Sequence, residues 1–186
     1  IEILAKRDSA VNASKIINSI DFETEEILKN MEDPTRSAFD SRGLVVGYVQ
    51  SGKTANFTAL ISKAADAGYR FIIVLAGIHD ELRQQTQIRI DRELTGYNNL
   101  QLEGDFVEWN DFEVSKRWYN LTSAGWLSGK ETGEFSGKGI NNFKDTFLNT
   151  QRPVIAIMKK NGKVRDRLIK WITQSNENDR INVPLL

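Results

Sequence analysis

The chain has 186 residues, 40% of them hydrophobic and 27% charged, with 25 basic and 25 acidic side chains and a formal net charge of zero. This is about one domain's worth of sequence with enough apolar content for a sizeable core, and the charge balance argues against coating nucleic acid by bulk attraction alone. With no cysteine and one histidine, disulfides and thiolate metal sites are excluded and a protein-built zinc site is not expected.

The opening IEILAKRDSAVNAS lacks the basic region, apolar core and small-residue cleavage site of a secretory signal. The longest strongly apolar run, Phe71 to Ile78, falls far short of the roughly 20 residues a membrane helix needs. A soluble, cytoplasmic protein with no membrane partner is the expectation. Ile16, Ile17 and Ile20, then Ile27, Leu28 and Met31, recur at helical spacing, broken between the two sets by an acidic turn. They predict a helical lead-in over residues 1–36, ended near Pro34.

Residues 37–186 read as a second region. GLVVGYV is a short β-branched run that predicts a strand, and the segment VVGYVQSGKTANF carries Gly47, Gly52, Lys53 and Thr54 at the spacing of a phosphate loop. That spacing matters because backbone N–H groups must curl round the phosphates before a helix begins. The similar-looking LSGKE and FSGKG fail the test. Ala124 and Thr132 stand where the earlier glycine is required, and neither Lys130 nor Lys138 is followed by Ser or Thr.

After the loop, Phe57, Leu60, Ile61 and Ala64 predict a helix that Gly68 closes. RFIIVLAG predicts a second buried strand, and Ile78, Leu82, Ile90 and Leu94 mark the inward face of a following helix ending before Gly96. Such a βαβα unit requires a parallel sheet with right-handed crossovers. Between residues 97 and 150 the pattern fades, and Trp109, Trp118 and Trp126 lie among Gly, Ser and Asn clusters. An irregular insertion, or short elements packed at a sheet edge, is expected there. PVIAIM predicts a further strand, followed by NGK and a helix with Val164, Leu168, Trp171 and Ile172 inward, while INVPLL reads as the opening of another strand. The fold class expected is α/β: a partial P-loop NTPase lobe of RecA-like type, with a parallel sheet flanked by helices and an N-terminal helical lead-in.

The chemistry follows from the loop. Lys53 is expected to reach the β- and γ-phosphates of ATP and Thr54 to hold Mg²⁺, with N–H groups from Gln50, Ser51, Gly52, Lys53 and Thr54 cradling phosphate at the positive end of the helix. Gly47 and Gly52 serve the backbone turns. The segment VLAGIHDELRQQTQIRI resembles the part of superfamily-two helicases that holds a nucleic-acid backbone, and Arg83, Gln84 and Gln87 are its candidate contacts. Residues 79–96 carry three bases and four acids, so a solvated helix face is the alternative. His79 reads as a loop or capping residue. Charge is unevenly spread: six acids against Lys29 in residues 20–33, seven bases against Asp166 in residues 151–170. Lys163, Arg167 and Lys170 form a stripe beside an apolar face, with Lys159 and Lys160 just before it. These basic residues leave the C-terminal edge of the sheet, where ligands bind in open α/β folds, so Lys159, Lys160, Lys163 and Arg167 are candidate nucleic-acid contacts, with a merely solvated stripe as the alternative.

GYVQSGKTANFTALISKAADAGYRFIIVLAGIHDELRQQTQIRIDREL and RPVIAIMKKNGKVRDRLIKWI resemble the ATPase portion of the large bacterial endonuclease-type proteins that carry a Z-one domain. The resemblance covers roughly residues 40–96 and 151–186. It implies a helicase-like motor lobe in a protein of DNA restriction, repair or defence, with DNA as partner. It also implies an acidic Asp-Asp-Glu-Ala-Asp-type strand after VPLL and a second lobe, both supplied by the remainder of a parent chain. Asp166 and Glu177 are poor substitutes for that acidic motif, so little hydrolysis is expected from these residues alone. A P-loop kinase, a GTPase and a non-catalytic nucleotide-gated module are the alternatives, although the Asn-Lys-x-Asp guanine signature is absent.

Overall fold

The computed structural model describes residues 10–37, 39–46, 52–95, 117–122, 135 and 152–174. The chain divides into two compact units, Ile1–Tyr69 and Arg70–Leu186. Among the described residues it is a mixed α/β protein with four α-helices and one small parallel sheet. No helix among them is long and apolar enough to cross a membrane.

In the first unit, helix α1 (Ala10–Lys29) packs on helix α2 (Lys53–Asp66). The inward stripe of α1 runs through Ala13, Ile20 and Thr24, all buried, and the acidic turn expected to break the helix does not: its acids lie within one continuous helix. Thr24 satisfies its buried hydroxyl by donating to the Ile20 carbonyl at 2.6 Å. From α2, Thr58, Ala59, Ile61 and Ala64 are buried. Gly68 ends α2 as expected. The Gly68 N–H donates to Ala65 O and the Tyr69 N–H to Ala64 O, the paired bonds that close a helix on a glycine.

The strand expected over GLVVGYV is not found where it can be followed. Gly43–Val46 has no regular structure, and Leu44, Val45 and Val46 are 88, 62 and 85% exposed. β-Branched residues favour a strand only where a neighbouring strand takes up their backbone groups, and no described strand pairs with this run. Its continuation through Gly47–Ser51 lies outside the described residues.

The second unit holds strands β1 (Phe71–Leu75), β2 (Tyr119–Asn120) and β3 (Val154–Met158) in the order β1-β3-β2, all parallel. Helix α3 (Asp80–Ile90) follows β1 and runs into a π-helical turn, Asp91–Thr95, while helix α4 (Gly162–Gln174) follows β3. Every residue of the central strand β3 is buried, as a parallel strand covered on both faces requires. Val154, Ala156 and Met158 pack with Phe71, Leu121, Phe135 and the Val164, Leu168 and Trp171 stripe of α4. Ile155 and Ile157 take the opposite face, and α3 also packs on β3. The short β2 is an edge element, one of the two outcomes expected for the tryptophan-bearing stretch. Trp109, Trp126 and INVPLL lie outside the described residues.

A second correction concerns α3. Ile90 and Leu94 are buried, but Ile78 and Leu82 are 66 and 48% exposed. The inward stripe is instead Arg83, Gln87, Ile90 and Leu94, which keeps helical spacing and is polar over its first half.

Candidate functional site

In the first unit the phosphate-loop residues that can be followed begin at Gly52. Its φ of 77° and ψ of 18° place it in the left-handed region, where glycine has no Cβ penalty, and α2 starts at the next residue. Gly52, at the N-cap position, has no side chain with which to cap that end of the helix. The Asn56 N–H donates to Gly52 O at 3.2 Å, so the helical ladder begins there. The N–H groups before Asn56 belong to the first turn, where a helix has no carbonyl of its own to offer. Together with the helix dipole they form an anion-attracting end. Lys53 is exposed and Thr54 half-buried on that turn. Gly47, Gln50 and Ser51 lie outside the described residues.

The far end of α2 is fixed to α1 by charge. Lys63 Nζ lies 2.9 Å from Asp21 Oδ1 and 3.4 Å from Glu25 Oε2, and it donates to the Asp21 carbonyl at 2.8 Å. The hydrogen bond to Asp21 raises the Lys63 pKa above its ordinary value against the opposing effect of burial, with Glu25 adding to the rise. Nearer the loop, Asn56 Nδ2 donates to Glu23 Oε2 at 2.9 Å. This brings a carboxylate from the acidic run to the start of the phosphate-loop helix, a pairing of residues 33 positions apart that local spacing gives no means of finding.

In the second unit the candidate nucleic-acid residues fall into two groups. Lys160, Lys163 and Arg167 are exposed. The Lys160 N–H donates to Gly77 O at 2.6 Å, tying the β3–α4 loop to the β1–α3 loop at the C-terminal rim of the sheet. Asn161 caps α4: its Oδ1 accepts from the Lys163 N–H at 2.9 Å and its carbonyl from Arg165 N–H at 3.0 Å. Arg167 reaches back along the helix, with Nε donating to Lys163 O at 3.4 Å. Three of the sequence-derived cations are thus drawn together around one helix start.

Arg83 and Gln87 behave differently, because both are fully buried. Arg83 Nε donates to Asp80 Oδ1 at 2.9 Å, and Gln84 Nε2 donates to Asp80 Oδ2 at 2.6 Å. Lys159 Nζ completes the cluster 3.7 Å from Asp80 Oδ1. Burial alone would raise the Asp80 pKa. The Arg83 hydrogen bond and charge, then Gln84 and Lys159, outweigh it and hold the carboxyl below its ordinary value.

Gln87 belongs to a chain of donors. The Ile157 N–H donates to Thr122 Oγ1 at 2.9 Å, the Thr122 hydroxyl to Gln87 Oε1 at 2.8 Å, and Gln87 Nε2 to Asp91 Oδ1 at 2.9 Å. Asn120 Nδ2 reaches the same carboxylate oxygen at 3.3 Å. These side chains join α3, β2 and β3 from within, so in this conformation Arg83 and Gln87 do not face a nucleic-acid backbone. Gln84, half-buried, is engaged with Asp80.

Comparison of the chain with protein-family models, with curated proteins and with solved structures finds no match in any of the three. Among the described residues no group of three or more His, Cys, Asp or Glu side chains is placed to hold a metal ion. A magnesium ion bound as a nucleotide complex needs no such cluster, since phosphate oxygens, the loop hydroxyl and one acidic residue of another strand hold it.

Proposed function

We propose that the chain binds ATP with Mg²⁺ at the start of α2, as the nucleotide-binding part of a helicase-like, DNA-directed ATPase of the Z-one endonuclease type working in the cytoplasm. The observation that carries the reading is the join at Gly52. The last glycine of a complete phosphate-loop pattern adopts a left-handed conformation, and a helix begins at Lys53 directly after it. These residues fit the group: first-turn N–H groups and Lys53 would hold the phosphates, and the Thr54 hydroxyl would hold Mg²⁺. Bound Mg²⁺ supplies charge neutralisation at the β- and γ-phosphates. DNA phosphates are assigned to Lys160, Lys163 and Arg167, with Lys159 behind them, on the basis of charge and position.

Calorimetric titration of ATP·Mg²⁺ into wild type and Lys53→Ala tests the nucleotide site. Loss of a charge-assisted contact should weaken binding by about 1.5–3 kcal/mol, roughly 10- to 100-fold. Equal affinity in two folded proteins would sink the assignment.

A further inference from the structure

Thr24, Thr95 and Thr122 are buried threonines whose hydroxyls are all bonded, to Ile20 O, Asp91 Oδ1 and Gln87 Oε1. Thr58 on α2 is buried too, at 8% exposed, but its Oγ1 has no hydrogen-bond partner, not even the Thr54 carbonyl one turn back. A buried hydroxyl with its bond unmade is a cost to the fold and calls for a reason. Its place on the helix supplies one. Residues 54 and 58 are four apart, so they lie about 40° from one another round a helix of about 3.6 residues per turn, and each Cβ tilts toward the N-terminus. Thr58 therefore stands one turn behind Thr54 and leans toward it. Asn56 and Lys63 lie on the other side of α2, roughly 160° and 140° round from Thr58, and it is they that bond α1 through Glu23, Asp21 and Glu25. The Thr54–Thr58 face is turned away from α1.

We propose that Thr58 is a positioning residue for the Mg²⁺ of the nucleotide complex: its hydroxyl oxygen accepts a hydrogen bond from the Thr54 hydroxyl and so turns the Thr54 oxygen lone pairs to the metal. This rests on the assignment of Thr54 to Mg²⁺ and adds the group that stands behind it. A hydroxyl has one hydrogen and two lone pairs. When its oxygen holds a cation the hydrogen must point away, and a partner that accepts it fixes the ligand's orientation and raises its basicity. Thr58 Oγ1 has the chemistry for that part, being an acceptor that is shielded from water and engaged by no other group. Its unmade bond is a cost that the nucleotide-free protein carries and the loaded protein sheds. The gain therefore enters binding only when the metal comes with the nucleotide.

The test is calorimetric titration of the 186-residue chain with ATP, once with Mg²⁺ and once with EDTA, beside urea unfolding of the nucleotide-free protein. Thr58→Val keeps the outline of the side chain and removes the hydroxyl. It should weaken ATP·Mg²⁺ binding about tenfold, the lower end of what losing the partner of a metal ligand costs, and leave the affinity in EDTA unchanged. Its urea midpoint should equal or exceed that of wild type, because the group removed is an unbonded buried hydroxyl. Thr58→Ser should do the reverse, with a lower midpoint for want of a packed methyl and the Mg²⁺ advantage kept. Added to Thr54→Val, Thr58→Val should cost nothing further, since both act through one hydroxyl. A threonine that serves the fold alone gives another pattern, in which midpoint and both affinities fall together in the valine variant. That pattern, a valine variant with the wild-type Mg²⁺ advantage, or additive losses in the double variant would each overturn the role of Thr58 and leave the nucleotide site standing. Wild-type binding that is equally tight in Mg²⁺ and EDTA would overturn Thr54 as metal ligand and Thr58 with it, and absence of ATP binding would overturn the site as a whole.

Discussion

Replacing Thr122 with Val changes one atom of the side chain's outline and removes the centre of the buried donor chain. In wild type the Thr122 hydroxyl accepts from the Ile157 N–H at 2.9 Å and donates to Gln87 Oε1 at 2.8 Å. Both bonds are buried, so valine leaves a central-strand N–H and a side-chain carbonyl without these partners and no route to water. A buried polar group stripped of its bond costs about 1–3 kcal/mol, so the variant should lose roughly 2–4 kcal/mol. For a protein of this size the urea m-value is on the order of 2 kcal/mol/M, which sets the expected fall in midpoint at about 1–2 M. All four tryptophans lie beyond Arg70, so tryptophan fluorescence during urea unfolding reports on the second unit. Thr122→Ser is the control, because it keeps the hydroxyl and loses only a methyl, about 0.8 kcal/mol. A valine variant within a few tenths of a molar of wild type, or a serine variant that falls as far as valine, would refute the assignment of this network as what holds β2 and α3 to β3.

Two further outcomes follow from charge. The folded Asp80 carboxyl titrates below its unfolded value of about 3.9, so its contribution is complete above that pH and is lost as pH falls through the folded value. The stability difference between wild type and Asp80→Asn should therefore shrink below about pH 4, and a difference in urea midpoint that stays constant down to pH 2 would contradict it. Lys63 has the opposite sign: its folded pKa lies above 10.5, so its contribution is present below that pH and lost as pH rises through the folded value. Thermal melts followed by helical circular dichroism should show Lys63→Met less stable than wild type at pH 9, with the gap closing as pH rises beyond 10.5. An unchanged gap would separate the Asp21–Glu25–Lys63 contact from stability.

What could be read from sequence was whatever depends on neighbours along the chain. The α4 stripe of Val164, Leu168 and Trp171, the buried run of β3 and the Gly68 stop after α2 all came through because periodicity and helix-ending chemistry are local. The phase of α3 did not. Choosing the apolar residues Ile78 and Leu82 as its inward face is the natural reading, and it misses because Arg83 and Gln87 become affordable in the interior only through Asp80 on the same turn and Thr122, 35 residues away from Gln87. The described part of the strand expected over GLVVGYV, Gly43–Val46, misled for a related reason, since strand propensity says nothing about whether a partner strand is available, and no described strand pairs with it. The basic stripe was legible as charge. Its companion at the rim, the bond from the Lys160 N–H to Gly77 O, depends on two loops that meet only when the parallel sheet is formed.

That meeting point has a mechanical consequence. The carbonyl of Gly77 and the N–H of Lys160 join the crossover leaving β1 to the crossover leaving β3, one strand over. Two connections that would otherwise bend independently share a single rigid link where α3 and α4 both begin. A pull on the start of α4 is transmitted to the turn that starts α3 without passing through the core, and the rim responds as one stiff lip. A mutation that widens the turn at Gly77 should therefore loosen both helix starts at once.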